Sequence, residues 1–150
     1  MLKKLLSTTD NYADTVARLA LGIVFFGHGA QKVLGWYGGY GLSGTYGFFT
    51  AKMGIPAPFA VLAIAAEFLG ALGLIFGCLS RVAAFGIFCV MAVAVATVHS
   101  HVGFFMNWSS IYPAGTEGFE YHILAIGLAI VVMIRGAGPL SIDGALSGTR

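Results

Sequence analysis

The sequence lacks the charge that a soluble protein needs. Only 9% of its 150 residues are charged and 58% are hydrophobic, whereas a soluble domain carries about 25% charged residues. So few polar side chains could not build a water-exposed surface, and most of the charges fall at the ends of apolar runs. This composition excludes a soluble globular protein and indicates an integral membrane protein held in a lipid bilayer.

Three functional signatures are also missing. The formal net charge is only +2 and no basic stripe runs along the chain, which excludes nucleic acid as a partner. Cys78 and Cys89 have no CxxC spacing, so the chain cannot perform dithiol exchange by itself. No glycine-rich dinucleotide fingerprint is present either. Any electron transfer must therefore use a bound quinone, a metal or a partner subunit.

Four apolar windows predict a four-transmembrane-helix bundle, all-α and built as a single domain over residues 1–150. A span needs about 20 mostly apolar residues, and turn signals such as Gly54-Ile55-Pro56 separate the windows. The stretch LSGTYGFFTAKMGIP predicts a short interfacial helix in the first extracytoplasmic loop. The predicted spans are Ala13 to Leu34, Pro56 to Gly77, Arg81 to Phe105 and Phe119 to Arg135.

The distribution of basic residues predicts the orientation of these spans. Six of the eight fall on the side that holds both termini, and only Lys32 and Lys52 fall on the other. The positive-inside rule then makes the N- and C-termini cytoplasmic in a multi-pass protein. All four histidines lie in the opposite, extracytoplasmic half. Any chemistry is therefore expected to face outward.

Glu67 lies near the centre of the second predicted span, where a carboxylate costs a few kcal/mol even on lenient insertion scales. It needs a partner or a proton. Two interpretations stay open: a buried pair between Arg18 and Glu67 that fixes helix register, or a proton or ligand site between Glu67 and His28. Lys32 lies one helical turn after His28 and extends that candidate site. The candidate catalytic residues are Glu67, His28 and Lys32.

Further polar and aromatic residues cluster in the sequence near this end of the spans. His99 and His101 are two residues apart, so they share a face only where the helix unwinds. With His122 they are candidate metal ligands, since zinc takes His and carboxylate ligands and haem takes axial histidine. The candidate ligand-binding residues are Arg18, Phe25, Gly29, Trp36, His99, His101, Glu120 and His122.

Four stretches of the chain resemble the DoxX family of small four-helix membrane proteins: GIVFFGHGAQKVLGWYGGYGLSGT, GIPAPFAVLAIAAEFLGALGLIFGCLSR, VHSHVGFF and GAGPLSIDGAL. The resemblance runs from about Arg18 to Leu146 and keeps the order and spacing of these blocks. It implies a protein of the prokaryotic inner membrane. Members are often labelled oxidoreductases, and some are subunits of membrane redox or oxidative-stress complexes. The resemblance assigns no catalytic roles.

These observations lead to one main hypothesis and several alternatives. The main one is a redox-associated membrane subunit with an apolar pocket between the first and second spans, where an outward-facing quinone binds. The first alternative is a non-catalytic assembly or scaffold subunit. A haem- or metal-binding protein, with haem or zinc as the group held, and a small-solute permease are weaker alternatives. Either other membrane subunits or further copies of the chain are expected as partners.

Overall fold

The structure, a computed structural model, describes residues 2–113 and 115–148. Those residues form helices joined by turns and loops, with no β-strand among them. Short 3₁₀ turns occupy Trp36–Gly38 and His99–His101, and a π-helical turn occupies Phe48–Lys52. The α-helices are α1 (Leu2–Leu6), α2 (Tyr12–Leu34), α3 (Gly41–Gly47), α4 (Ala57–Phe76), α5 (Ser80–Thr97), α6 (Glu120–Arg135) and α7 (Ile142–Ser147).

The four long helices pack in a ring, with α2 against α4 and α6, and α5 against α4 and α6. Their inward faces form one apolar core that includes Leu21, Phe25, Leu74, Ile87 and Val132. Connected helices run in opposite directions, so the bundle has two distinct ends. We call the end with α1 and α7 the terminal end. The end where α2 and α5 finish and α4 and α6 begin is the histidine end.

Among the described residues, two helices are long and apolar enough to cross a membrane: α4, with a mean hydropathy of 2.3, and α5, with 1.9. Polar and charged side chains such as Arg18, His28 and Lys32 interrupt α2. Helix α6 is apolar but has only 16 residues. The all-helical prediction is therefore confirmed, whereas the crossing of the membrane by all four helices stays a prediction.

The predicted third span is too long. Helix α5 ends at Thr97 because Val98 leaves helical geometry, with φ −124° and ψ −60°. The chain then folds back on itself, since Gly118 N donates to Phe105 O at 3.1 Å and Phe119 N donates to Gly103 O at 3.1 Å. The loop before α6 is thereby tied to the segment that follows α5. The short helix predicted in the first loop is present as α3 and the π-helical turn after it.

Helices α2 and α4 approach each other closely at Gly29 of α2. A Cβ atom placed on Gly29 would lie 2.6 Å from Phe68 Cα and 2.7 Å from Glu67 O, so only glycine permits this contact. This contact fixes the relative depth of α2 and α4. It also determines which side chains can meet around Glu67.

The terminal end is closed by hydrogen bonds from the C-terminal segment. The Asp143 carboxylate accepts from Leu79 N and from Ser80 N, both at 2.8 Å, at the start of α5. Arg135 Nε lies 2.6 Å from Asp14 Oδ1 and joins the end of α6 to the start of α2. These contacts pair charged groups that would otherwise lie unpaired at the helix ends.

Candidate functional site

The central feature of the candidate site is an ion pair between α2 and α4. Lys32 Nζ lies 2.5 Å from Glu67 Oε2, and the two side chains are 23% and 5% exposed. The pair forms because the Gly29 contact brings the two backbones together one turn before Lys32. A charge-assisted hydrogen bond of this kind compensates in part for burying the carboxylate. Glu67 thus has the partner that the sequence required.

The alternative in which Arg18 pairs with Glu67 is wrong. Arg18 is 1% exposed and lies toward the terminal end, where its guanidinium donates to four backbone carbonyls of the described residues. The acceptors are the oxygens of Leu74, Ile75, Ala137 and Leu140. The first two belong to the last turn of α4, whose carbonyls have no later helical residue to donate to them. Arg18 therefore caps α4 and does not take part in the candidate site.

His28 lies in an aromatic group beside the ion pair. Its ring centroid is 5.9 Å from that of Phe25 and 6.2 Å from that of Tyr121 on α6. Phe25 is buried, whereas His28 keeps exposed surface at the histidine end. His28 also precedes Lys32 by four residues in α2, so the two side chains lie on the same face of the helix. The three predicted catalytic residues therefore lie together, with Tyr121 as a fourth member.

His99 and His122 form a second pair, with ring centroids 4.1 Å apart. The hydrogen bond between His99 Nδ1 and Glu117 O, 2.6 Å long, requires a proton on Nδ1, which leaves Nε2 of a neutral ring free to accept. His122 is 6% exposed. His101 is exposed, so the 3₁₀ turn separates it from its neighbour and not all four histidines converge.

Two predicted binding residues have other contacts. Glu120 Oε1 accepts from Trp108 Nε1 at 2.6 Å and from Met106 N at 3.0 Å, and so holds the loop before α6. Trp36 is 49% exposed and packs edge-on against Phe26, with centroids 6.3 Å apart. Neither side chain is brought against the ion pair by any of these contacts.

The predicted metal site is not assembled. In the part of the chain that the structure describes, no three His, Cys, Asp or Glu side chains converge to hold a metal ion. His99 and His122 supply two imidazoles, but the third candidate, His101, is exposed. A zinc ion in a protein takes at least three protein ligands. The donor set therefore does not fit zinc.

An apolar groove of about 700 Å³ lies between α2, α3 and α4. It is lined by Val33, Leu42, Ser43, Tyr46, Val61, Ile64, Ala65, Phe68 and Leu69. None of the three predicted catalytic residues lines it. Phe68 borders the groove and follows Glu67 in the sequence, so the α2–α4 contact separates the two features. The sequence-based prediction of one pocket that combines an apolar wall with these polar residues does not describe this groove.

Sequence reasoning missed Tyr121. It lies between two residues that were selected, in the stretch Glu120-Tyr121-His122, but was not itself selected. The available signal was its position: the first turn of α6 must lie at the same end of the bundle as the last turn of α2. A tyrosine there can point its hydroxyl group toward the helices facing it.

A family model described as DoxX matches residues 13–100, which is more than half of the chain. The matched region contains α2, α4 and α5 and therefore both members of the Lys32–Glu67 pair. No curated protein and no solved structure matches the chain. The chain belongs to the DoxX family and is a membrane protein.

Proposed function

We propose that this member of the DoxX family is a redox-associated membrane subunit that binds a quinone at the histidine end of its helical bundle. The observation that carries the proposal is the ion pair between Lys32 and Glu67, 2.5 Å long and placed beside His28 and Tyr121. Ionisable groups within membrane helices are expensive and are most often kept for function. Members of the DoxX family are often linked to oxidoreductases, which supports a redox-associated role.

The proposal includes four spans with the histidine end outside the cell. The charges that interrupt α2 are all paired: Arg18 with carbonyls, Lys32 with Glu67, and Asp14 with Arg135. Such pairing is what allows polar groups to lie within a bilayer. Helix α6 has 16 residues and is about 24 Å long, which a locally thinned bilayer can accommodate. The excess of basic residues at the terminal end supports a cytoplasmic location for it.

The chemistry of the site suits a quinone oxygen. The Lys32 ammonium has three donor hydrogens, and its side chain keeps 23% of its surface exposed beyond the hydrogen bond to Glu67. It can therefore donate to a carbonyl oxygen without leaving its partner. Glu67 is placed to accept or supply a proton, and His28, which is more exposed, is placed to exchange that proton with water. A quinone, when bound, supplies the electron-accepting ring.

The electrons must come from another subunit. The chain has no CxxC pair and no dinucleotide fingerprint, and its two cysteines are free thiols. The imidazole pair His99–His122 lacks a third ligand among the described residues. We therefore place this chain as the quinone-binding member of a larger complex, and we do not propose haem, zinc or solute transport.

The proposal is tested with protein purified gently and reconstituted in nanodiscs. Mass spectrometry of extracted small molecules should find quinone, and a short-tailed benzoquinone should bind with saturation. Glu67→Gln should weaken that binding about tenfold, because the charged partner that orients Lys32 is lost. Glu120→Gln is the matched control, since its carboxylate holds only the loop and should leave binding unchanged. Absence of quinone and of saturable binding would contradict the proposal.

Three observations favour an assembly subunit as the second candidate. The glycine contact at Gly29 and the capping role of Arg18 are structural, and the apolar groove lies outside the polar cluster. In an assembly subunit, the Lys32–Glu67 pair would only stabilise the packing of α2 against α4. The double variant Lys32→Met with Glu67→Gln distinguishes the two: a scaffold subunit regains assembly of its complex, whereas a quinone subunit regains abundance but not quinone binding.

A further inference from the structure

Two polar atoms at the start of α6 are buried without a hydrogen-bond partner among the described residues. They are the Tyr121 hydroxyl oxygen and His122 Nδ1, on consecutive residues. His122 is 6% exposed, so it is well over nine-tenths buried. Leaving such a group unpaired is unfavourable, and most buried polar groups are paired. Two orphaned groups side by side indicate that something binds here.

The third buried polar atom that lacks a hydrogen-bond partner among the described residues has a different setting. Ser80 Oγ lies at the terminal end, on a residue whose backbone N–H is held by Asp143 at 2.8 Å. A helix N-terminus of this kind is a structural cap. The unpartnered atoms of α6, in contrast, lie at the histidine end, where the ring of Tyr121 is 6.2 Å from that of His28. Only they combine with residues of the proposed quinone site.

The surroundings of Tyr121 are flat and aromatic. Its ring centroid lies 6.5 Å from that of Phe25 and 6.2 Å from that of His28. Aromatic faces of this kind favour a flat ring over an aliphatic chain. The hydroxyl group adds one donor that no described residue uses.

The charged side chains near Tyr121 favour an uncharged ligand. Lys32 is neutralised by Glu67 at 2.5 Å, so the pair presents no net charge. Among the described residues around this pair, an anion would find no unpaired lysine or arginine, and a cation would find no carboxylate without a partner. A neutral ring with carbonyl oxygens satisfies the orphaned donor without adding buried charge.

We infer that Tyr121 is the hydrogen-bond donor that positions a quinone headgroup at this site. A carbonyl oxygen of the quinone accepts from the Tyr121 hydroxyl group. The inference rests on the proposed function. It adds Tyr121 to the site and specifies that the ligand is an uncharged ring with carbonyl oxygens. The headgroup packs against the rings of Phe25 and His28, and the adjacent His122 Nδ1 offers a second polar contact. The apolar groove lined by Phe68 is not the site of the headgroup.

The test compares Tyr121→Phe with Tyr112→Phe in nanodiscs. Tyr112 is 65% exposed in the loop before α6 and serves as the matched control. Tyr121→Phe should bind a short-tailed benzoquinone about tenfold more weakly, which is the loss of one buried hydrogen bond. Its thermal stability without quinone should be unchanged or higher, because a buried orphan is removed. Tyr112→Phe should leave quinone binding as in the wild type.

The outcomes separate the two claims. If the wild type binds no quinone, the proposed function fails. If the wild type binds but Tyr121→Phe binds equally well, as it would if only a water satisfied the hydroxyl, the role of Tyr121 is refuted while quinone binding stands. If Tyr121→Phe accumulates poorly, infrared spectra of a carbonyl-labelled quinone bound to the wild type show whether the quinone carbonyl accepts a hydrogen bond. A lowered carbonyl stretch relative to lipid supports the inference, and an unshifted band overturns it.

Discussion

Lys32 and Glu67, which are 35 residues apart in the sequence, meet at 2.5 Å across the α2–α4 contact. The carboxylate is the more buried partner, at 5% exposed against 23% for the lysine side chain. The lysine can therefore extend its ammonium to the surface when its partner is lost, whereas the carboxylate cannot. This asymmetry makes the two single variants unequal.

We expect Lys32→Met to be the more destabilising of the two. It leaves Glu67 buried and unpaired and should lower the free energy of unfolding by about 3 kcal/mol. Glu67→Gln should lower it by about 1 kcal/mol, since Lys32 is partly exposed. The double variant should recover most of the loss. A double-mutant cycle in mixed micelles measures this coupling, and additive losses would show that the pair does not interact.

The glycine contact gives a prediction with a control in the same helix. Gly29→Ala should lower the free energy of unfolding by about 3 kcal/mol, because its Cβ would overlap the backbone of α4. Gly27→Ala meets no atom within 4 Å and should stabilise the protein by up to about 1 kcal/mol through helix propensity. Equal effects from both changes would contradict the packing described.

Arg18 is expected to be essential for folding and not for ligand binding. Arg18→Met removes the donors to the last turn of α4 and to the C-terminal segment, which should cost about 3 kcal/mol of unfolding free energy. Arg18→Lys should recover less than half, because an ammonium cannot form the same fork. Quinone affinity of the folded fraction should not change. A loss of affinity with normal stability would place Arg18 in the site.

Asp143 should stabilise the start of α5. Asp143→Asn removes the negative charge that faces the backbone N–H groups of Leu79 and Ser80, and should lower the free energy of unfolding by about 1 kcal/mol. Asp10→Asn is the control, because Asp10 is exposed. Hydrogen exchange should become faster in the first turn of α5 only in the first variant. Unchanged exchange there would refute the capping role.

The orientation is tested by thiol labelling of intact cells. In a background without Cys78 and Cys89, an impermeant maleimide should label Ser109→Cys in the loop before α6. It should label Lys4→Cys in α1 only after the membrane is permeabilised. Both positions are exposed in the structure. The reverse pattern would invert the proposed topology and place the histidine end inside the cell.

Part of this fold could be predicted because apolar length and turn residues determine where long helices form. Three of the candidate residues selected on α2, Arg18, Phe25 and Gly29, are buried in the structure. The sequence, however, left Arg18 and His28 as the possible partners of Glu67, whereas the structure pairs it with Lys32. The partner of Glu67 is determined by the Gly29 contact and by backbone carbonyls of the C-terminal segment, which accept the hydrogen bonds of Arg18. Residue spacing in the sequence predicts neither the Gly29 contact nor the hydrogen bonds of Arg18.

The candidate site was predicted only in outline for a related reason. Clustering of histidines at one end of the spans follows from sequence position and helix direction. Which of them meet depends on helix rotation and on the end of α5 at Thr97, which exposes His101 and brings His99 to His122. The sequence position of Tyr121 places it at the histidine end, but its unpartnered hydroxyl group is a property of the packed structure and could not be predicted.

The most direct test of a quinone site at the histidine end is photo-crosslinking in nanodiscs. A photoreactive short-tailed quinone is bound, activated and mapped by mass spectrometry, with unlabelled quinone as competitor. We expect competed adducts within residues 25–32 and 119–122, where Phe25, His28 and Tyr121 lie together. Adducts that are not competed, or that fall only in the apolar groove at residues 42–46 and 61–69, would contradict the account.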